Sequence, residues 1–319
     1  MPDNAPELIT VGRVSVDLYP TVEGPMRDVR TLQKSVGGTA TNVAVAAARL
    51  GRRAALVTKV GDDAFGDDII HALSDRFGVD TRWVSTHPTL KTPLAFAELN
   101  PRADPNIIFY REPSGPDMEI TEADVSSLPV EHAGILWIPA TRFSHEPSRS
   151  TVISLLKRRN RARHTILDLD WRYQFWPDEV TATAAIQPML VHFSVIIGNR
   201  EECRIAVGTA EPEAAADAIL AQGAECAVIK LGGDGVMVAT ATGQRELVEP
   251  YPVEAVCGLG AGDAFGGAFC DSLLSGLDFV EAARRGNAAG AIVAARLLCA
   301  DDMPYRHEVD QVRAHGAVT

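Results

Sequence analysis

Gly258-Leu259-Gly260-Ala261-Gly262-Asp263-Ala264-Phe265-Gly266-Gly267-Ala268-Phe269 is the stretch on which the reading of this chain turns. Three alternating glycines run into an aspartate, and an apolar run of helical character follows directly. Glycine admits backbone conformations that a Cβ forbids and lets a ligand approach closely. The first amides of a helix have no intrahelical partner, and the helix dipole there favours negative charge. A glycine turn at that point makes a phosphate site, with Asp263 at its lip. Such a loop suits phosphoryl transfer to a hydroxyl: amides hold the charge on the phosphate and a carboxylate receives the proton. Taken alone, the stretch reads equally well as a glycine turn with Asp263 as a helix N-cap.

Other glycine motifs fit the surrounding sequence less well. No G-x-x-x-x-G-K-[ST] occurs, which argues against a P-loop. Gly260, Gly262 and Gly266 loosely resemble a dinucleotide fingerprint, but that motif opens a βαβ unit with an acidic residue about 20 positions on. Here helices follow to the end of the chain, the last a small-residue helix expected around 287–298. Upstream, strands and helices alternate: a strand at 8–11, a strand at 54–60 before a helix at 65–77, then a strand at 134–139 before a helix at 148–160. Further strands are expected at 165–172, 193–197 and 226–231, with 235–240 turning back antiparallel. That rhythm predicts an α/β fold with a mainly parallel sheet between crossover helices. Polar or glycine-rich residues where strands end place one ligand crevice along one sheet edge.

Three other stretches carry candidate site residues. Asp17 follows the first strand and Gly12, as a turn residue or as a ligand contact. Gly37-Gly38-Thr39-Ala40-Thr41-Asn42 opens an alanine-rich helix that stops at Gly51, and its small side chains allow close approach to the sheet or to a ligand. The extended segments 92–99 and 106–112, with Pro101 and Pro105 between them, break the alternation and predict a hairpin outside the main sheet. Arg111 lies there beside Phe109 and Tyr110, and a guanidinium suits a carboxylate.

Composition narrows the partners. The 319 residues carry a net charge of −12 with no block of basic residues, which argues against nucleic acid. The five cysteines are scattered without a C-x-x-C pair and no H-E-x-x-H occurs, against a disulfide framework or a zinc site. No apolar signal core or run of membrane length is present, so the cytoplasm is expected and no membrane.

Together these residues resemble the ribokinase-like (phosphofructokinase B type) carbohydrate kinases, from Leu8 to about Pro304. Gly37 to Asn42 resembles the family's N-terminal signature, Asn199-Arg200-Glu201-Glu202 its Asn-x-x-Glu element, Lys230-Leu231-Gly232-Gly233-Asp234-Gly235 its nucleotide loop, and Gly260-Ala261-Gly262-Asp263 its anion hole and base. The resemblance implies a three-layer α/β/α core with a small β-sheet lid, in one domain spanning 1–319, the lid drawn from about 13–35 and 92–115. It implies ATP and Mg²⁺. By position, Asp17, Gly37, Gly38 and Asn42 would bind the sugar. Asn199 and Glu202 would organise the metal and phosphates through water, and Lys230, Gly233, Gly235 and Asn287 would line the nucleotide site. Asp263 would take the proton. Cys257-Gly258 stands where cation-binding members carry Asp-Thr, which argues against a potassium requirement. A dimer through the lid is a further implication.

Segments 12–18, 34–38, 109–112 and 167–172, with Trp176, resemble members acting on keto-sugar acids, most of all on 5-dehydro-2-deoxygluconate of inositol catabolism. The acceptor would then be a terminal (C6) hydroxyl, with Arg111 at the acid or ketone and Arg172 at the transferring phosphate. Other sugars or keto acids, and a silent sugar-binding regulator, are the alternatives.

Overall fold

The computed structural model describes residues 5–101 and 105–318; residues 1–4, residues 102–104 of the expected lid segment and Thr319 lie outside the described residues. Thirteen strands and ten α-helices are described. The strands are β1 (Leu8–Val11), β2 (Ser15–Pro20), β3 (Leu32–Gly37), β4 (Ala54–Gly61), β5 (Val84–His87), β6 (Leu94–Glu98), β7 (Asn106–Tyr110), β8 (Ile135–Pro139), β9 (Thr165–Asp168), β10 (Val195–Asn199), β11 (Cys226–Lys230), β12 (Val236–Thr240) and β13 (Arg245–Val248). The helices are α1 (Thr39–Arg49), α2 (Ala64–His71), α3 (Glu122–Val125), α4 (Ser148–Arg159), α5 (Glu179–Ile186), α6 (Arg200–Val207), α7 (Pro212–Ala221), α8 (Ala261–Leu274), α9 (Phe279–Ala294) and α10 (Arg306–His315).

Nine strands form one sheet in the order β13-β12-β11-β10-β9-β8-β1-β4-β5, parallel from β11 to β5 and antiparallel at β12 and β13. The central strands are apolar throughout because helices cover both faces of a parallel sheet. Side chains alternate between faces along each strand. Leu8, Leu56, Ile135, Trp137 and Val195 accordingly join one core with α1, α8 and α9, and Ile9, Val57, Leu136 and Ile196 join a second with α4 to α7. This is the expected three-layer α/β/α arrangement.

A second sheet, β3-β2-β6-β7, stands apart. Its β2–β3 and β6–β7 pairs are antiparallel, and β2 pairs with β6 in parallel. A small third core, with Tyr19 and Ala97 of this sheet and the adjoining Leu99 against Cys257, Leu298 and Cys299, ties it to the glycine loop.

Several boundaries differ from the sequence reading. The expected helix at 65–77 is α2 followed by a π turn over Ala72–Arg76. The last small-residue helix begins at Phe279 rather than near 287, because Asp278 caps it by accepting from the amide of Glu281 at 2.8 Å, and it ends at Ala294. The strand expected over 165–172 stops at Asp168, since Asp170 takes a positive φ of 27° and turns the chain. Asp17 lies in the middle of β2, opposite Ser35 and Ala95, and so reaches the crevice from the small sheet instead of from the end of β1.

Candidate active site

Sheet register assembles one wall. Parallel pairing sets Asp168 of β9 level with Ile197, and Asn199 of β10 level with Lys230 of β11, so three polar residues end adjacent strands at one edge. Ligands of open α/β sheets bind outside such carboxyl ends. Asn199 caps α6 in a reciprocal capping box: its side chain accepts from the Glu202 amide at 2.9 Å, and the Glu202 carboxylate accepts from the Asn199 amide at 2.6 Å. The Asn-x-x-Glu spacing is thus a helix start before it is anything else.

Lys230 Nζ stands 3.6 Å from Glu202 and 3.8 Å from Asp168. Burial opposes its charge, but those carboxylates outweigh burial and hold the ammonium above its usual range. Burial pushes the Asp168 carboxyl up despite Lys230, helped by Asp170, Glu202 and Asp263. Asp168 Oδ1 is buried without a hydrogen-bond partner among the described residues.

The glycine loop faces this wall. Gly260, at φ +81°, is the N-cap of α8, and Asp263 sits in the first turn. The amides of Ala261, Gly262 and Asp263 are therefore the orphan donors of a helix start. A Cβ on Gly262 would lie 3.6 Å from Lys230 Nζ, so the ammonium and the amides face the same space. Burial pushes the Asp263 carboxyl up to about 6, against a hydrogen bond from Asn42 Nδ2 to its Oδ2 at 2.7 Å. Asn42 keeps its Oδ1 buried and unpartnered among the described residues.

A pocket opens beside Asp263 under the small sheet, lined among others by Asp17, Gly38, Asn42, Arg111, Arg172 and Arg13. Ser15 donates to Asp17 at 2.6 Å, and burial pushes the Asp17 carboxyl up to about 6. Gly37 packs against that carboxylate with no room for a Cβ. Arg111 gives one nitrogen to both oxygens of Asp117 at 3.0 Å and lies over the Phe175 ring at 4.7 Å. Arg172 pairs with Asp170 at 3.3 Å.

The structure thus gathers Asp17, Gly38, Asn42, Arg111, Arg172, Gly260 and Asp263 around one pocket, with Gly37 against Asp17 and Asn199, Glu202 and Lys230 beside it. Gly233 is exposed just beyond Lys230, and Gly235 is pressed against the Val248 carbonyl. Asn287 donates to the carbonyls of Val248 and Glu249 at 3.2 and 2.9 Å, so its amide nitrogen secures the end of β13. Sequence reasoning missed Arg13, Tyr19, Asp117, Phe175 and Cys299. It also gave Asp168 and Asp170 no role, though two acids flanking an apolar strand end were the available signal.

Helix-start amides, a carboxylate within their reach and two cations facing them equip an α/β protein to move a phosphoryl group. A model described as pfkB family carbohydrate kinase matches residues 5–306, and the chain belongs to that family: it is a sugar kinase, a phosphotransferase. It is 33% identical over 318 residues to a 5-dehydro-2-deoxygluconokinase of Bacillus anthracis, covering 96% of this chain and 95% of that protein. Among solved structures it resembles a PfkB protein from Polaromonas sp. JS666 (26% identity, TM-score 0.83, 96% of this chain and 99% of that one). An uncharacterised sugar kinase from Pyrococcus horikoshii in complex with ATP matches at 26% identity and a TM-score of 0.79, again over 96% and 99%. Among the described residues no helix is long and apolar enough to cross a membrane.

Proposed function

We propose that this kinase transfers the γ-phosphoryl group of ATP to the terminal (C6) hydroxyl of a keto-sugar acid, 5-dehydro-2-deoxy-D-gluconate of inositol catabolism. The observation that carries the reading is the pairing of Asp263 with the α8 amide nest at the mouth of an arginine-lined pocket. In this account Asp17, Gly37, Gly38 and Asn42 orient the sugar hydroxyls, and Asn42 Oδ1 is the open acceptor for one of them. Asp263 takes the proton as the oxygen–phosphorus bond forms. The amides of Gly260, Ala261 and Gly262, with Lys230 and Arg172, offset the charge on the phosphoryl oxygens, which matters more here than a strong base. Gly233 and Gly235 shape the nucleotide loop. Asn287 supports the adenine side through its hold on β13, and Arg111 meets the acid or the ketone.

Mg²⁺ fits this donor set. Among the described residues no group of three acidic, histidine or cysteine side chains could cage a metal. Mg²⁺ keeps most of its waters and is typically held by one or two carboxylates plus phosphate oxygens. Glu202 with Asn199, through water, and the Asp168 oxygen that lacks a hydrogen bond among the described residues suit that role. Bound there, the ion supplies neutralisation of the nucleotide phosphates. With Cys257-Gly258 at the family's cation-binding position, the reaction is written without potassium. Pairing of two copies through the small sheet belongs to the same reading, supported by Ile108 and Tyr110, which are 38% and 63% exposed on β7.

Two results test the reading. Phosphorylation of 5-dehydro-2-deoxygluconate, 2-dehydro-3-deoxygluconate, fructose and ribose is compared in one assay. The first acceptor is expected to lead the neutral sugars by tenfold or more in kcat/KM, roughly the worth of one charge-assisted hydrogen bond to its carboxylate. A lead by fructose or ribose rejects the acid, and sugar binding without turnover makes the protein a regulator. The pH profile is the second test. A base is lost on protonation, so with Asp263 at about 6 the acid limb of kcat/KM is centred near pH 6, well above an ordinary aspartate. An acid limb near pH 4 would assign the proton elsewhere.

A further inference from the structure

Four guanidinium groups, on Arg13, Arg111, Arg142 and Arg172, converge beside the acceptor pocket and, among the described residues, are paired with two carboxylates. Asp117 pairs with Arg111 at 3.0 Å and with Arg142 at 3.2 Å; Asp170 pairs with Arg13 at 3.0 Å and with Arg172 at 3.3 Å. The other carboxylates lining the pocket, Asp17 and Asp263, take hydrogen bonds from Ser15 and Asn42 instead. Four carboxylates thus face four guanidinium groups, yet among the described residues no arginine donates to Asp17 or Asp263, so the forks keep unmet donors where water is scarce. A buried donor left without an acceptor is costly until one arrives.

Arg13 is the member that shows where such a charge would go. Its side chain is 6% exposed and lines the pocket together with Asp17 and Arg111. One terminal nitrogen, Nη2, is committed, donating to Thr39 Oγ1 at 2.6 Å and pairing with Asp170. The other, Nη1, is buried with no hydrogen-bond partner among the described residues. Burial, and then the neighbouring Arg172 and Arg111, weigh against the charge, while Asp170, Asp117 and Asp17 favour it. The ring of Phe175 braces both Arg13 and Arg111, whose guanidinium carbons lie 4.9 and 4.7 Å from its centre, and both side chains line the same pocket. Guanidinium edges fixed in this way suit a planar carboxylate.

We infer that Arg13 is a specificity-determining residue whose Nη1 edge, without a partner among the described residues and braced with Arg111 by Phe175, binds the carboxylate of the acceptor. The inference rests on the keto-sugar acid reading and adds to it the residue that selects acids from neutral sugars. The acid end of the substrate lies against Arg13 and Arg111, and its far hydroxyl lies toward Asp263. A neutral sugar leaves the Nη1 edge unpaired inside the pocket, and this selects against it. Arg13 takes no part in the phosphoryl transfer.

The test compares two acceptors that differ only at C1: the keto-sugar acid and the neutral analogue carrying a hydroxymethyl group there. Arg13→Lys keeps a cation opposite Asp170 but removes the second nitrogen edge, and Arg13→Met removes the charge altogether. ATP binding by each variant reports that the fold is intact. In both, the ratio of kcat/KM for acid over neutral acceptor is expected to fall at least tenfold, chiefly through KM for the acid. Equal losses on both acceptors, with the ratio unchanged, would overturn the inference and make Arg13 a support for Asp170 and Arg172. Wild-type enzyme that does not prefer the acid would refute the keto-sugar acid reading itself, whatever the variants do. A crystal structure of the wild-type enzyme with the acid bound decides independently of either variant's stability: a carboxylate within hydrogen-bond distance of Arg13 Nη1 supports the assignment, and one elsewhere in the pocket rejects it.

Discussion

Asp263→Asn is expected to lower kcat by about 10²–10⁴-fold, the usual contribution of a general base, while ATP binding stays within about twofold, because no proton moves on binding. The substitution keeps the shape of the side chain. The Asn42 Nδ2 that donates to Asp263 at 2.7 Å finds an amide oxygen in its place. The fold gains slightly. Folding raises this carboxyl to about 6, so its ionised form is the one the native state disfavours. Wild-type stability therefore declines as pH rises from about 4 to about 6, and the full cost remains above that range. The carboxyl borders the open pocket, so solvent screening holds that cost to about 1 kcal/mol. Melting curves should then place the variant slightly above wild type at pH 7.5 and level with it at pH 4. A variant that keeps a tenth or more of wild-type kcat would remove Asp263 as the base.

Gly38→Ala is expected to be the most damaging single methyl group in the acceptor pocket. Gly38 precedes α1 at φ +104° and ψ 129°, a region that residues with a Cβ avoid. The added atom would sit 2.4 Å from the carbonyl oxygen of Arg13 and 2.7 Å from its carbonyl carbon, and backbone yields less readily than a side chain. Strain of this kind and the clash together are expected to cost on the order of 3 kcal/mol, which lowers Tm by roughly 5 °C or more in a chain of this size. The damage reaches the site because the Gly38 carbonyl accepts from the Asn42 amide at 2.8 Å, and Asn42 holds Asp263. Acceptor KM should rise along with the loss of stability. A variant melting within about 1 °C of wild type would show that the strand entry and α1 shift freely, contrary to their packing.

The glycine before α1 also shows what the sequence carries on its own. Gly37-Gly38 ahead of an alanine-rich helix, and Gly260-Ala261-Gly262-Asp263 ahead of another, are local signals, since capping and positive φ depend on neighbours in the chain. The alternation that predicted the sheet is local too, carried by runs such as Ala54 to Val60 and Cys226 to Lys230. The route of the chain after β1 was not local. Nothing in Gly12-Arg13-Val14 shows that the strand leaves the large sheet and enters a second one, which fixes where Asp17 stands. Asp170 was also hidden: in a continuing strand it would share a face with Asp168, and only its positive φ turns it toward Arg13 and Arg172.

By itself, the sequence determined the layers, the glycine-led helix starts and the residue types offered at each strand end, because period, capping and turn chemistry act over a few residues. Only the tertiary structure decided which of those residues meet. Asn42 reaches Asp263 across 221 positions, and Tyr19 reaches Cys299 across 280. It also decided which charges lose water: Asp17 and Asp263 are pushed up to about 6, and Arg13 keeps one buried edge without a partner among the described residues. The physical reason is that desolvation is set by whatever packs around a group, and those surroundings are assembled from the whole chain.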